Sequence, residues 1–325
     1  VIGGSQWHVW KTWLFVAATF CLAAIISPWL FNGCQALIEV TAGRPTNVLL
    51  DLIAGVSREA DFGDFHRIAL AISAILLFPF WAIGLSAGNA ASEASGQRLL
   101  PFHRALRHLP LGAGFAFAQF VLVGLALVLV GSFSWRAATT PPLSSLAVPL
   151  VTAALWVVIQ EMLFRGMMLG IFLRALRPSF AIAMMAALFA LARFLLPLPE
   201  MTVADDESAG AGFELLAQSL RRGVDPAALI DRFLPLLTLG VVLGFARFRT
   251  TTLWLPIGLH GGWVLANTAF THFAAPLHQP TFVVSILAGK SLFCGLIPCL
   301  AILLTGLLIN CFIPPPNANH HSASP

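Results

Sequence analysis

Residues 143–173 read LSSLAVPLVTAALWVVIQEMLFRGMMLGIFL. A helix needs about 20 residues to cross the hydrocarbon core of a bilayer, and this run exceeds that with room for a bend or an interfacial extension. Its only charges are Glu161 and Arg165. A charge at membrane depth costs about 2.5 to 3.5 kcal/mol on insertion scales, so such residues face the interior of a helix bundle and need partners. These two stand four apart, which puts them on one helix face about 6 Å from each other, carboxylate first, the order that favours pairing.

The rest of the chain has the same character. Its 325 residues are 58% hydrophobic and 10% charged, with a mean hydropathy of +0.87, whereas a soluble domain charges about a quarter of its residues. Seven further apolar stretches lie near 9–31, 67–88, 111–131, 179–197, 232–247, 251–271 and 291–313. The fold class is therefore an all-α polytopic membrane protein of about eight transmembrane helices. The composition excludes a disordered chain and a disulfide-stapled secreted domain. The +4 net charge does not mark a nucleic-acid partner, because the basic residues sit in ones and twos at the ends of apolar runs, where they orient a membrane protein. With the N-terminus inside, Lys11, the Arg98/Arg104/Arg107 group, Arg174/Arg177 and Arg247/Arg249 fall in the cytoplasm, and the acidic loop 198–231 falls on the far side. Lys11 and the lack of a cleavage site make the first run a retained span.

The lipid bilayer is thus the first partner, and the length and loop pattern point to a bacterial inner (plasma) membrane. The expected divisions are membrane helices in 1–142, a core at 143–271, a last membrane helix in 272–313 and a disordered tail at 314–325, whose His320 and His321 read as tail composition. Cys21, Cys34, Cys294, Cys299 and Cys311 read as small buried apolar residues, with no CxxC or Cys/His metal spacing. The sequence calls for no cofactor and no metal. It has no Tyr, so any mechanism must work without a phenol.

Among 14 carboxylates and 18 cations, only Glu161, Arg165 and Arg193 lie well inside apolar spans. His260 joins them in Pro256-Ile-Gly-Leu-His260-Gly-Gly-Trp263, among small residues that let backbones approach closely. The residues alone allow two readings: a buried ion pair and core histidine holding helices in register, or a catalytic group.

Three motifs carry a resemblance. Gln160-Glu161-Met-Leu-Phe-Arg165-Gly166 resembles the Glu-Glu-xxx-Arg motif of the CAAX-protease and bacteriocin-processing (CPBP, or Abi) family of intramembrane endopeptidases. Phe189-Ala-Leu-Ala-Arg193 looks like its second motif, Phe-xxx-His. The stretch 239–260, ending in His260, is similar to the approach to its third, His-xxx-Asn/Asp. The likeness covers about 143–270, which makes 143–271 a CPBP-like core. It implies that the first Glu and the second-motif His activate a water for peptide hydrolysis, while the third-motif His and Asn support the oxyanion.

At those positions this sequence has Gln160, Arg193 and Val264; Glu161, Arg165, Phe189 and His260 are retained. A carboxamide positions water but cannot take its proton, and an arginine stays protonated. Arg193 is suited instead to pair with Glu161. The three motif helices are expected to meet around one polar cavity where Glu161, Arg165, Arg193 and His260 converge. The function read from the sequence is an intramembrane-protease fold that has lost peptidase activity and binds a membrane protein or peptide partner, or serves as a scaffold. The alternative is an active intramembrane endopeptidase with Glu161 and His260 as its catalytic residues. A transporter or channel lined by Glu161, Arg165 and Arg193 is the weaker alternative. One His and one carboxylate fall short of the three protein ligands usual for catalytic zinc.

Overall fold

Helices occupy all eight apolar stretches in the computed structural model, which describes residues 4–41, 50, 54–55, 57–58, 60–86, 102–136, 147–198, 200–277 and 286–314. The tail beyond Pro314, with His320 and His321, lies outside the described residues. In chain order the principal elements are α1 (Gly4–Thr41), α2 (Phe62–Ser86), α3 (Phe102–Leu129), β1 (Phe133–Trp135), α4 (Ala147–Glu161), a π-helical segment (Met162–Met168), α5 (Leu169–Ala175), α6 (Pro178–Phe194), α7 (Ala211–Arg221), α8 (Leu234–Thr250), α9 (Trp254–Phe273), β2 (Ala274–Pro276) and α10 (Leu296–Phe312), with short helical turns over Arg222–Val224, Pro226–Ala228 and Leu229–Phe233 between α7 and α8.

Among the described residues five helical stretches are long and apolar enough to cross a membrane: Trp7–Thr41, Phe62–Ala82, Arg107–Leu129, Pro149–Ala175 and Pro226–Thr250. The chain is an all-α integral membrane protein. Helices α6 and α10 have 17 residues each, about 26 Å at the helical rise, just short of a bilayer core. Helix α9 has 20 residues, and His260, Asn267, His272 and its glycines dilute its apolar character.

The chain forms two compact units, Val1–Ala91 with Ala192–Asp225 and Ser92–Leu191 with Pro226–Pro325. In the first, α1 and α2 run antiparallel, Phe15 stacking on Trp81 with ring centroids 5.2 Å apart and Phe31 meeting Phe62 and Phe65 edge-on. Residues 198–231, expected as an acidic loop, contain α7. Its inner face carries Ala211 and Leu215 into the core around Phe31 and Phe65, while Glu214 stays exposed. A Cβ on Gly212 would strike the Ala24 carbonyl, so only glycine lets α7 lie this close to α1. The acidic residues hid this helix because they lie around its short apolar face.

In the second unit α9 packs along α3 through small residues. A Cβ on Gly258 or Gly262 would collide with the carbonyls of Leu109 or Ala113. The four-residue spacing is the small-xxx-small contact of membrane helices. Gly240 and Gly244 of α8 make a second such contact, against Ala186 and Met185 of α6. Gln119 of α3 accepts from Trp263 Nε1 at 3.0 Å and Thr305 Oγ1 at 3.1 Å and donates to the Ala301 carbonyl at 2.8 Å, joining α3, α9 and α10. A two-stranded antiparallel ribbon, β1 with β2, closes the ends of α3 and α9 and places Phe133 opposite Pro276. The all-helical reading had not anticipated it.

The cysteines depart from expectation. All five are free, and only Cys299 is buried; Cys21 and Cys311 are exposed, Cys34 and Cys294 half-buried. In lipid an outward apolar face is as well solvated as an inward one, so apolar sequence around a thiol does not predict burial against protein.

Candidate functional site

Glu161 is the last residue of α4, and directly after it the helix widens into seven π-helical residues, Met162–Met168. The sequence left room in this run for a bend or an interfacial extension, and the structure places a π segment there. A π-turn adds a residue to the hydrogen-bonded ring, and such turns recur at functional sites. Arg165 lies in the middle of this segment, with its guanidinium turned back toward α4.

Arg165 Nη1 donates to Glu161 Oε1 at 2.9 Å, and His260 Nδ1 lies 2.7 Å from the same oxygen. Glu161 and Arg165 are 0% exposed and His260 4%. A carboxylate only accepts, so Nδ1 carries the proton and Nε2 is the ring's second nitrogen. Phe189 of α6, also fully buried, holds its ring 4.2 Å from the Arg165 guanidinium carbon and 6.3 Å edge-on from the His260 ring. Phe164 completes the wall, its ring 5.2 Å from that of Phe189. Thus α4, the π segment, α6 and α9 together build one closed cluster, the π segment supplying both Phe164 and Arg165. The guanidinium over an aromatic face gains a cation–π attraction that strengthens as water is excluded.

Four polar atoms of the cluster are left over. Gln160 Oε1, Glu161 Oε2, Arg165 Nε and Arg165 Nη2 are buried with no hydrogen-bond partner among the described residues. Buried polar atoms in native proteins are met by protein, water or ligand, and each left unmet costs about 1 to 3 kcal/mol. Gln160 is 5% exposed, and Val264, one turn beyond His260 on α9, is half-buried. Arg193 sits in the last turn of α6 and belongs to the first compact unit. The carboxylate takes hydrogen bonds from Arg165 and His260. Among the described residues no group of three or more His, Cys, Asp or Glu side chains is placed to hold a metal ion.

Gln119 and Phe164 had not been singled out. Gln119 had a signal, a lone amide inside the apolar run 111–131; Phe164, one phenylalanine among 26, had none.

Residues 142–266 match the family described as type II CAAX prenyl endopeptidase Rce1-like, a span that takes in every motif position from Gln160 to Val264. The chain thus contains a domain similar to that family, within an all-α membrane protein. No curated protein and no solved structure matches the chain.

Proposed function

We propose, taking the Rce1-like domain as the premise, that this protein keeps the intramembrane-protease scaffold without peptidase activity and binds a membrane-embedded protein or peptide segment. One observation carries the reading: Glu161 is fully buried, with a single oxygen tied to both Arg165 at 2.9 Å and His260 at 2.7 Å. A general base must present a lone pair to the water it deprotonates. Oε1 of this carboxylate is committed to Arg165 and His260, and Oε2 is enclosed in the same buried cluster. Gln160 stands where the resemblance calls for a water-activating glutamate, and a carboxamide does not accept a proton near neutral pH. Arg193 is a permanent cation at the second-motif histidine, and Val264 supplies no amide to an oxyanion. The family's description names a prenylated CAAX peptide, so an apolar polypeptide segment within a bacterial inner membrane is the partner class assigned. The leftover polar atoms beside Glu161 supply donors and acceptors for its backbone.

A second reading draws on the contact between Glu161 and His260 Nδ1. A carboxylate holding one imidazole nitrogen orients the other, as in hydrolase triads. On that reading Glu161 positions His260, Nε2 takes the proton of a water, and the protein is an active endopeptidase.

Purified protein assayed on fluorogenic membrane-peptide libraries separates the two. The scaffold reading expects no turnover above that of Glu161→Ala and His260→Ala, and a gain of activity in the triple variant Gln160→Glu, Arg193→His, Val264→Asn. Turnover by the unmodified chain that both single variants abolish would overturn it in favour of the second reading.

A further inference from the structure

A cavity lies in the Ser92–Leu191/Pro226–Pro325 unit, lined by neither Glu161, Arg165 nor His260. It encloses about 890 Å³ between α3, α9 and the C-terminal ends of α8 and α10, within the range of about 300 to 1,000 Å³ typical of small-molecule sites. Its walls are aliphatic and aromatic, with Leu111, Phe115, Leu259 and Leu308 among them, and its charged lining residues are Arg107 and Arg249; no carboxylate lines it. Arg107 begins the membrane-crossing stretch of α3, and Thr250, next to Arg249, ends that of α8. The cationic mouth therefore stands at headgroup level, and the apolar walls run from it into the hydrocarbon. Arg249 is already oriented: it donates to the Ile313 carbonyl at 3.0 Å and to Asn310 Oδ1, and its guanidinium carbon lies 4.9 Å from the Phe245 ring. A guanidinium has five donors, so these bonds fix its plane with donors to spare. Arg107 is exposed.

We propose that this cavity holds one anionic phospholipid, the phosphate between Arg107 and Arg249 and an acyl chain along Leu111, Phe115 and Leu259. Basic pockets between membrane helices at the headgroup level suit that chemistry. Residues 315–325, which follow the cavity-lining Pro314, read PPNANHHSASP; with no acidic side chain and few apolar ones, they complement neither the mouth nor the walls. The site does not depend on whether the Glu161 cluster hydrolyses peptides.

The test uses the full chain in nanodiscs of equal phosphatidylglycerol and phosphatidylcholine, transferred to mild detergent, with retained lipids counted by native mass spectrometry. Phosphatidylglycerol should be retained preferentially, and Arg107→Gln should cut the preference about fivefold, the worth of one cation near an anionic headgroup. Arg249→Gln should add to the loss but also removes bonds to α10, so the exposed Arg107 carries the test. Leu111→Trp, which narrows the apolar part and keeps both arginines, should lower retention of the lipid itself. Equal retention of the two lipids, or a preference indifferent to Arg107→Gln, overturns the proposal. So does displacement of the lipid by millimolar inorganic phosphate, which would make this a free-anion site. Lipid retained only after removal of residues 315–325 would make the tail the occupant and overturn it as well.

Discussion

Helix α9 contributes to two buried polar clusters less than one turn apart, and they are built to opposite standards. At Trp263 the cluster is neutral and complete: both polar atoms of Gln119 are engaged, with Trp263, Thr305 and the Ala301 carbonyl. At His260 the cluster is charged and incomplete, with four buried polar atoms of Gln160, Glu161 and Arg165 unmet among the described residues. A network meant only to hold helices together gains by being finished, since every unmet donor or acceptor costs stability. The neutral cluster therefore serves as a fastening. Retaining an unfinished charged cluster a few residues away in a stable scaffold is what a site built for something other than stability looks like.

The sharpest way to break this comparison is Glu161→Gln. It strands the Arg165 guanidinium where both side chains are 0% exposed and should cost about 3 to 5 kcal/mol, read as a large fall in the melting temperature of the detergent-solubilised protein. Replacing the pair together, Glu161→Leu with Arg165→Met, should recover most of that loss, because apolar side chains of similar volume leave no charge behind. A double variant as unstable as the single would show that the cluster is fastening after all. Gln119→Leu comes next: it leaves Trp263 Nε1 and Thr305 without their acceptor and should cost about 1 to 3 kcal/mol. A loss equal to that of Glu161→Gln would erase the distinction between the clusters. The smallest effect belongs to Gln160→Met, which removes a buried acceptor without a partner among the described residues and should change stability by less than about 1 kcal/mol. A larger loss would mean that Gln160 is bonded in the protein's working state.

Much of this was legible because charge in an apolar run is so conspicuous. Glu161 and Arg165 announced their pairing by spacing, and His260 joined them through its small-residue surroundings and the motif that follows Gly240 and Gly244. The π segment was not legible: a helix widens through its backbone hydrogen bonds, and Met162–Met168 carries no side chain that signals the change. Helix α7 escaped because Ala211, Gly212 and Leu215 are a thin apolar face within a run of acidic residues. Exposure of Cys21 and Cys311 escaped because hydropathy distinguishes membrane from water but not lipid from protein.

The π segment also sets the phase of the helix that contains it. Residues of α4 and α5 keep the same period, but the wider turn between them puts the two halves out of step by roughly one residue, about 100° of rotation. Each half can thus present its own stripe to its own neighbours, as two gears on one shaft can be keyed at different angles. Deleting one residue of Gly166–Met168, beyond Arg165, would restore a single phase. Phe172, fully buried on α5, would then turn away from its contacts while Gln160 and Glu161 stayed where they are, so the register of the cluster and that of the lower helix can be altered separately.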